Sequence, residues 1–220
     1  MSESMATPSN DIVLLGAGGH AKVVMEIFQA AGEKVAYCVA NTPMETGTLL
    51  GTPVLFGERE PLEQLRRKGY SKAHVAIGSN RVRAKLFVQL KELGYTLASA
   101  IHPQSIISPT VTIGAGTAIM AGTIINASTV IGEGAIINTG ATVDHDCRIG
   151  DFAHIGPQCG LAGNVSVGDH AFLGIGTKVI PKISIGENTN TGAGAIVVRD
   201  LPANGLAVGV PARIRMITRG

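Results

Sequence analysis

The chain has 220 residues, and its 18 basic and 16 acidic side chains give a formal net charge of only +2. This length allows one or two domains, and a balanced charge without a basic block gives no reason to expect a nucleic acid or an anionic membrane as a partner. The sequence has no apolar run that could span a bilayer and no secretory apolar segment at its polar start, so we expect a cytoplasmic protein with a flexible tail over residues 1–10.

The first hundred residues alternate between strand and helix patterns, which predicts an α/β domain over residues 11–100. The predicted elements are, in chain order, a strand at Asp11–Leu15, a helix that includes Val23–Phe28, a strand at Val35–Val39, a helix at Arg59–Lys68, a strand at His74–Ile77 and a helix at Arg81–Leu93. The apolar residues of the last helix are Val82, Leu86, Val88 and Leu90.

The segment Gly16–Ala21 joins the first strand to the first helix, as in the opening of a Rossmann-like βαβ nucleotide-binding unit. Backbone N–H groups at the start of a helix can hold phosphate. A dinucleotide is disfavoured because the second strand ends Cys38-Val39-Ala40-Asn41, without the acidic residue that would bind a ribose. We therefore predict a nucleoside diphosphate as the ligand. The predicted contacts are Gly16, Gly18, Gly19, His20, Lys22, Asn41 and Asn80.

From residue 101 to residue 197 an aliphatic side chain recurs at every sixth position, with Thr191 as the single exception. Neither the period of a helix nor that of a strand keeps this phase. A chain that turns a corner every six residues does, because one inward position then recurs on every side. A second series of mostly small residues, from Ser105 to Ala195, precedes each aliphatic by two positions and is expected to point inward beside it.

Five glycines give a longer period, since Gly114, Gly132, Gly150, Gly168 and Gly186 lie eighteen residues apart. Three hexads per repeat predict a three-sided solenoid of stacked strands over residues 101–220. We expect glycine at these positions because it tolerates the backbone angles of a tight corner without a Cβ penalty. A solenoid can also be purely structural, so its function depends on the residues that it displays.

The middle of the solenoid displays acid and imidazole groups together. Hexad phase puts Asp144, His145 and Asp146 on the outside of one bend, and Gly163 follows His145 by eighteen residues, so it should stack directly above it. An imidazole that accepts a proton, beside a backbone N–H that faces a developing oxyanion, is suited to acyl transfer. Either Asp146 or Asp144 could orient the imidazole, although contact between His145 and its neighbour Asp146 requires the bend.

A second histidine, His154, lies between two inward positions and is expected to point outward from a flat face. It follows His145 by nine residues, which is half a turn, so the two lie on different sides of one coil and we predict no metal site. Cys147 and Cys159 fall on inward positions. We expect them to be buried hydrophobic residues in a reducing compartment, not nucleophiles.

Five segments together resemble the nucleotide-sugar acetyltransferases, a group that includes the bacillosamine-pathway enzyme PglD, sialic acid O-acetyltransferases and perosamine N-acetyltransferases. The segments are GAGGHAKVV at 16–24, IHPQSIISP at 101–109, ATVDHDCRIGDFAHIGP at 141–157, LAGNVSVG at 161–168 and VGVPAR at 208–213. The resemblance covers nearly the whole chain after residue 10. It implies a left-handed parallel β-helix, a homotrimer, and acetyl-CoA bound in the groove between neighbouring solenoids.

The resemblance also implies roles for individual residues. His145 is identified as the catalytic base, Asp146 as the acid that follows it, His154 as the histidine that contacts the acetyl group and Gly163 as the backbone donor near the thioester. The VGVPAR segment is similar to the close of coenzyme-A-dependent hexapeptide transferases. The further implied contacts with acetyl-CoA are Ile175, Lys178, Ala193 and Arg213, and no metal is implied.

One departure from many relatives bears on the nucleotide base. Many relatives end the second strand with two aspartates that contact uracil, whereas this chain has Val39 and Ala40, followed by Asn41. The chain resembles most the GDP-perosamine N-acetyltransferases, which acetylate the 4-amine of a 4-amino-4,6-dideoxy sugar. Two alternatives stay open, namely O-acetylation of a sialic-acid-type sugar and a non-catalytic trimer that binds nucleotide sugars.

Overall fold

The computed structural model describes residues 9–43 and 45–215, and the chain divides between Ala100 and Ile101 into two compact units. The helices of the first unit are α1 (Gly19–Ala30), α2 (Arg59–Arg67) and α3 (Asn80–Glu92). Its strands are β1 (Ser9–Leu15), β2 (Val35–Ala40), β3 (Thr48–Leu49), β4 (Thr52–Phe56), β5 (Tyr70–Val75) and β6 (Thr96–Leu97). Among the described residues, no helix has the length and apolar character that a membrane span requires.

One sheet organises the first unit, with strand order β3-β4-β2-β1-β5-β6, and all neighbouring strands are parallel except β3 and β4. In the central strand β1, residues 12–15 are buried, as expected of a parallel strand covered on both faces. Leu15 pairs with Val39 of β2 and with Val75 of β5. The loops that follow these three strands therefore meet at one edge of the sheet.

Several predicted boundaries of this unit are corrected. β1 begins at Ser9, so the predicted tail over residues 1–10 is wrong at its last two residues, and the rest of that tail lies outside the described residues. β5 spans Tyr70–Val75, earlier than the strand predicted at His74–Ile77. The strands β3 and β4 are absent from the prediction, because β3 is only two residues long and Pro53 interrupts the strand pattern of β4.

Of the four apolar residues that mark α3 in the sequence, only Leu90 is fully buried. Val82 and Val88 are 46% and 53% exposed, whereas Arg83, Phe87 and Leu90 are buried. The buried stripe has helical spacing, but its first member is a charged residue, and a search for apolar periodicity does not detect it. The arginine is buried because main-chain carbonyls satisfy its guanidinium, as described below.

The second unit is a parallel β-helix with three faces. Its strands are β7 (Ala100–Ile101), β8 (Ile106–Ile107), β9 (Thr112–Ile113), β10 (Ala118–Ile119), β11 (Ile124–Ile125), β12 (Val130–Ile131), β13 (Ile136–Ile137), β14 (Thr142–Val143), β15 (Arg148–Ile149), β16 (His154–Ile155), β17 (Gly160–Leu161), β18 (Ser166–Val167), β19 (Phe172–Leu173), β20 (Lys178–Val179), β21 (Ser184–Ile185), β22 (Asn190–Thr191), β23 (Ile196–Val197), β24 (Leu206–Val208) and β25 (Arg213–Arg215). From β7 to β23, successive strands fall in turn on face 1 (eight strands in all, from β7), face 2 (six strands, from β8) and face 3 (five strands, from β9), and β24 and β25 both belong to face 1. The predicted three-sided solenoid is confirmed.

Both inward series fill the interior of the coil as predicted. The aliphatic series is buried from Ile119 to Val197, and the mostly small series is buried from Thr117 to Ala195. The exception in the first series, Thr191, satisfies its hydroxyl inside the core through Thr177 Oγ1, at 2.7 Å. A polar side chain is therefore accommodated without an unsatisfied group.

The glycines spaced by eighteen residues are required for a different reason from the predicted one. None of the five has φ in the left-handed region. They occupy points where consecutive coils touch, and a Cβ on Gly168 would lie 2.5 Å from N and 2.9 Å from Cα of Glu187. Left-handed φ values occur at other corner positions, for example at Ser128, Asp146 and Asn164. The spacing of the coils, not the backbone angle, excludes a side chain from the glycine series.

We expect Gly168→Ala to destabilise the β-helix by about 1–3 kcal/mol, the usual cost of overpacking, because the new Cβ would press on the main chain of the next coil. Gly160→Ala is the matched control. Its added Cβ would first meet the flexible end of the Lys178 side chain, at 3.1 Å, so its loss should stay below about 1 kcal/mol. Urea unfolding of both variants measures the difference, and equal losses would contradict the packing explanation.

Candidate active site

A cavity of about 610 Å³ opens in the first unit at the carboxyl edge of its sheet, which is where α/β folds commonly bind nucleotides. Of the predicted nucleotide contacts, the cavity is lined by Gly16, Gly18 and Asn41. The other predicted contacts are not among its lining residues, namely Gly19, His20, Lys22 and Asn80. The cavity is therefore built on the loops after β1 and β2, as the glycine turn predicts, but only part of the predicted set borders it.

The glycine turn after β1 leaves room for an anion. Gly16 has φ of +119°, and a Cβ there would lie 2.7 Å from the carbonyl oxygen of Ala76, so no other residue fits without strain. A Cβ on Gly18 or Gly19 would meet no atom within 4 Å. Because α1 begins at Gly19, the open space lies in front of its first N–H groups, which attract negative charge.

Several residues that line the cavity were not among the predicted nucleotide contacts. Glu58 follows β4, and Val82 and Lys85 lie on α3. Val82 was predicted only as an apolar residue of this helix, and its exposure is visible only in the structure. Glu58 was missed because the strand before it was not predicted.

Arg83 is a buried charge that stabilises the start of α3. Its guanidinium donates hydrogen bonds to the carbonyl oxygens of Ile77 (3.0 Å) and Gly78 (3.1 Å), and to Oδ1 of Asn80 (2.9 Å). Burial lowers the pKa of Arg83 to about 10. The amide oxygen of Asn80, which was predicted to contact the ligand, is therefore engaged in holding this arginine.

His20 is neutral near pH 7 in this environment. Burial, and then the nearby charge of Arg83, lower the pKa of His20 to about 4. Its Nε2 atom is buried, and no described residue supplies a hydrogen-bond partner for it. Lys22, two residues further along α1, is exposed.

The bend between faces 2 and 3 joins His145 to Asp146. Asp146 has φ of 58°, and this left-handed conformation turns its carboxylate back toward the preceding residue. Nδ1 of His145 lies 2.8 Å from Oδ2 of Asp146, and both side chains are 54% exposed. This hydrogen bond is the largest cause that raises the pKa of His145 above its ordinary value. With Nδ1–H donating to Asp146, Nε2 can accept a proton from a ligand.

Gly163 covers the imidazole from the next coil, as predicted. A Cβ on Gly163 would lie 2.6 Å from both Cε1 and Nε2 of His145, so only glycine leaves space for the ring in this position. The N–H of Asn164 donates to the carbonyl oxygen of His145 at 2.9 Å, which holds the two coils in register. The N–H of Gly163 itself donates a hydrogen bond to none of the described residues. A proton acceptor and an available N–H donor therefore belong to one corner.

The contacts of the two aspartates distinguish their roles. Asp146 contacts the imidazole, whereas Oδ1 of Asp144 accepts the main-chain N–H of His145 at 2.8 Å. The sequence allowed either aspartate to orient the ring, and in the structure only Asp146 contacts the ring directly.

His154 lies on face 1 and is only 8% exposed. The sequence predicts that it points outward from a flat face, but not that it is covered there: Phe172 packs edge-on against it at a ring-centroid distance of 5.0 Å. Nδ2 of Asn138 lies 3.0 Å from Nε2 of His154. Asn138 was not among the predicted site residues, although it precedes His154 by sixteen residues and therefore lies on the coil below.

The inward cysteines are buried as predicted. Burial is the largest cause that raises the pKa of both Cys147 and Cys159, and both thiols are free. A buried thiol with a raised pKa holds little thiolate near neutral pH, which argues against either residue as a nucleophile.

Four of the predicted acetyl-CoA contacts, unlike Gly163, lie apart from His145 within one chain. Ile175 and Ala193 occupy the same corner on consecutive coils, between faces 1 and 2, and Lys178 begins the next strand on face 2. Nζ of Lys178 donates to the carbonyl oxygen of Gln158 at 2.7 Å. Arg213 lies in β25, at the end of face 1. The β-helix of a single chain therefore separates these residues from the corner of His145.

The described part of the chain contains no group of three or more His, Cys, Asp or Glu side chains arranged to hold a metal ion.

Comparison with known proteins supports both units. Residues 11–90 match the family model of the PglD N-terminal domain, and residues 128–163 match that of the bacterial transferase hexapeptide (six repeats). The structure of PerB from Caulobacter crescentus, in complex with CoA and GDP-perosamine, is similar at 50% sequence identity and a TM-score of 0.89, over 96% of this chain and 100% of PerB. The chain belongs to the PglD-like hexapeptide acetyltransferases.

Two further solved structures are similar to this chain over most of their length. The acetyltransferase domain of PglB from Neisseria gonorrhoeae, in complex with acetyl coenzyme A, is 35% identical with a TM-score of 0.85, over 93% of this chain and 98% of the domain. WeeI from Acinetobacter baumannii is 29% identical with a TM-score of 0.81, over 93% of this chain and 99% of WeeI. The C. crescentus perosamine N-acetyltransferase has also been solved with one histidine replaced by asparagine or alanine, again with CoA and GDP-perosamine.

We expect Asp146→Asn to lower the pKa of His145, because the hydrogen bond to the Asp146 carboxylate is the largest cause that raises it. In the native protein, His145 should be neutral only above a pKa that exceeds its ordinary value, and in the variant it should become neutral at lower pH. An NMR titration of the His145 ring measures both values. Asp151→Asn, which removes a carboxylate from another corner, is the control, and an equal shift in both variants would refute the assigned contact.

Proposed function

We propose that the protein is an acetyl-CoA-dependent N-acetyltransferase, which acetylates the 4-amine of a nucleotide-linked 4-amino-4,6-dideoxy sugar. The observation that carries this proposal is the corner in which Asp146 contacts His145 and Gly163 covers the imidazole from the next coil. The relatives support it, since PerB is solved with CoA and GDP-perosamine and the PglB domain with acetyl coenzyme A. GDP-perosamine is the best candidate substrate, and no metal is required.

The proposed reaction is a direct transfer without an acyl-enzyme. The neutral 4-amine attacks the thioester carbonyl of acetyl-CoA, a C–N bond forms, and the carbonyl electron pair moves to the oxygen. The N–H of Gly163 stabilises this oxyanion. Nε2 of His145 takes the surplus proton from the nitrogen, and Asp146 stabilises the resulting imidazolium. The C–S bond then breaks, and CoA leaves as a thiol with a proton returned by the imidazolium.

We also propose a homotrimer of left-handed β-helices, and the separation of the predicted residues around the coil favours an assembly of more than one copy. His145 and Gly163 belong to the corner between faces 2 and 3, whereas Ile175 and Ala193 belong to the corner between faces 1 and 2. A closed symmetric assembly brings different corners of neighbouring copies together. Acetyl-CoA would then lie in the groove between two copies. Its proposed contacts are His154, Asn138, Gly163, Ile175, Lys178, Ala193 and Arg213.

The cavity of the first unit is the proposed nucleotide site. The diphosphate would lie on the turn Gly16–Gly19, with His20 and Lys22 on the same helix, and the base beyond the ends of β2 and β4, near Asn41 and Glu58. Guanine presents two adjacent N–H donors that match a carboxylate, and Glu58 is the only carboxylate among the lining residues. Asn80 would act on this site indirectly, through Arg83.

Two other functions remain as outcomes of the test. A sugar O-acetyltransferase would use the same imidazole to deprotonate a hydroxyl, and a non-catalytic trimer would bind nucleotide sugars without consuming acetyl-CoA.

We also propose that residues 11–100 form the nucleotide-sugar-binding domain, that residues 101–220 form the acetyltransferase domain, and that the protein works in the cytoplasm. Three free, buried cysteines fit a reducing compartment.

The function is tested with a panel of UDP-, GDP-, dTDP- and CMP-linked sugars, with and without a free 4-amine. Each is incubated with acetyl-CoA, and mass spectrometry detects the gain of one acetyl group. We expect this gain with a GDP-linked 4-amino sugar. A gain on hydroxyl sugars alone would favour the O-acetyltransferase, and no release of free CoA thiol with any sugar would favour the binding protein.

His145→Ala should lower kcat by about 10²–10⁴-fold with little change in KM, because a general base acts mainly in the transition state. His102→Ala is the matched control, since this histidine lies on the first coil and accepts a hydrogen bond only from its own loop, from Gln104 N at 3.0 Å. Steady-state kinetics with both substrates measure the effect. An unchanged kcat in His145→Ala would remove the proposed base.

A further inference from the structure

Beyond the residues that touch the imidazole, a second pair of side chains fixes the bend on which His145 lies. Oδ1 of Asp144 accepts two hydrogen bonds, one from the main-chain N–H of His145 at 2.8 Å and one from Nδ2 of Asn126 at 3.0 Å. Asn126 precedes Asp144 by eighteen residues and therefore lies at the same corner, one coil below. These two bonds favour the ionised form and lower the pKa of Asp144, with the His145 N–H as the larger cause.

The main chain of this segment is also held from both neighbouring coils. The N–H of Asp144 donates to the carbonyl oxygen of Leu161 on the coil above, and the hydroxyl of Thr129 donates to the carbonyl oxygen of Asp144 from the coil below, at 3.0 Å and 2.8 Å. These bonds fix the main chain before His145. The Asp144 side chain also fixes the direction of the His145 N–H. That N–H sets the plane of the peptide that carries the imidazole.

The β-helix itself does not need a carboxylate at this position. On the next two coils the equivalent positions are Ala162 and Ile180, which have no side-chain acceptor, and the ladder continues through both. Asp144 and Asn126 are therefore not part of the repeat that builds the coil. Asp144 directly precedes His145 and Asn126 lies one coil below, so this pair of side chains acts on the corner that carries His145.

We propose that Asp144 and Asn126 are positioning residues, which hold the bend so that the imidazole of His145 stays between Asp146 and Gly163. This inference rests on the proposed function for its kinetic consequence, but its geometric content does not depend on it. Neither side chain needs to contact a substrate. Their effect passes through the peptide N–H of His145 to the direction of the ring.

The kinetic test compares variants that keep or remove the acceptor. Asp144→Ala should lower kcat by about 10–100-fold, since small misplacements of a reacting group are costly, with KM for acetyl-CoA nearly unchanged. Asp144→Asn keeps an oxygen acceptor for both donors, so it should retain kcat within about 3-fold. Asn126→Asp would place a second carboxylate against Asp144, so it should be more damaging than Asn126→Ala. Asp169→Ala is the control, because this carboxylate also accepts a main-chain N–H, that of Asp151 at 2.8 Å, but on another corner.

A double-mutant cycle separates positioning from a general loss of structure. If Asp144 acts through the imidazole, Asp144→Ala should cost nothing further in a His145→Ala background. Additive losses in the cycle, or an Asp144→Asn variant as impaired as Asp144→Ala, would overturn the proposal. Thermal unfolding of each variant identifies any that fail to fold. If the Asp144 variants fail to fold, the kcat values of Asn126→Asp and Asn126→Ala are compared instead.

A crystal structure of Asp144→Ala gives a readout that does not need activity. We expect the imidazole to lose its contact with Asp146 or to occupy more than one rotamer. An imidazole that remains 2.8 Å from Asp146, as in the native chain, would refute positioning whatever the enzyme does. A wild-type protein that transfers no acetyl group would instead refute the proposed function and leave this structural comparison to decide the inference.

Discussion

The register of one coil on the next is the constraint on which the second unit depends. Main-chain bonds link residues of consecutive coils without a slip, as in Asn126 N to Val143 O and Asp144 N to Leu161 O. Because the repeat is fixed at eighteen residues, the hexad phase of a residue decides whether its side chain fills the core or is displayed outside. The same close stacking excludes a Cβ at Gly168, so the short distance between coils explains why this series consists of glycines.

This register also builds the proposed catalytic corner without a specialised loop. It places Gly163 directly over the His145 ring, where even a methyl group would collide. The left-handed conformation of Asp146 lets two neighbours in sequence share a hydrogen bond, which an extended strand would prevent. Donor and acceptor are held by the ladder before any ligand binds. Such groups need little reorganisation during the reaction, which is the basis of electrostatic preorganisation.

Sequence reasoning succeeds where position follows from a strict period and fails where it depends on contacts between elements. The corner with His145 and Gly163 could be predicted because eighteen residues separate the two. The buried face of α3 could not, since Arg83 is charged and is buried only because the carbonyls of Ile77 and Gly78 satisfy it. The burial of His154 under Phe172 was missed for a similar reason, because phase gives the direction of a side chain but not what covers it.

The separation of corners within one chain has a consequence for assembly. A general base is useful only where the thioester and the amine meet, yet the proposed acetyl-CoA residues Ile175 and Ala193 lie on a different corner from His145. No change of rotamer moves a residue from one corner of a rigid three-sided coil to another, because the main chain of each corner is bonded to the coils above and below. On the proposed function, the site is therefore incomplete in one chain. The remaining wall has to come from a second copy, so loss of assembly should remove catalysis even where each chain stays folded.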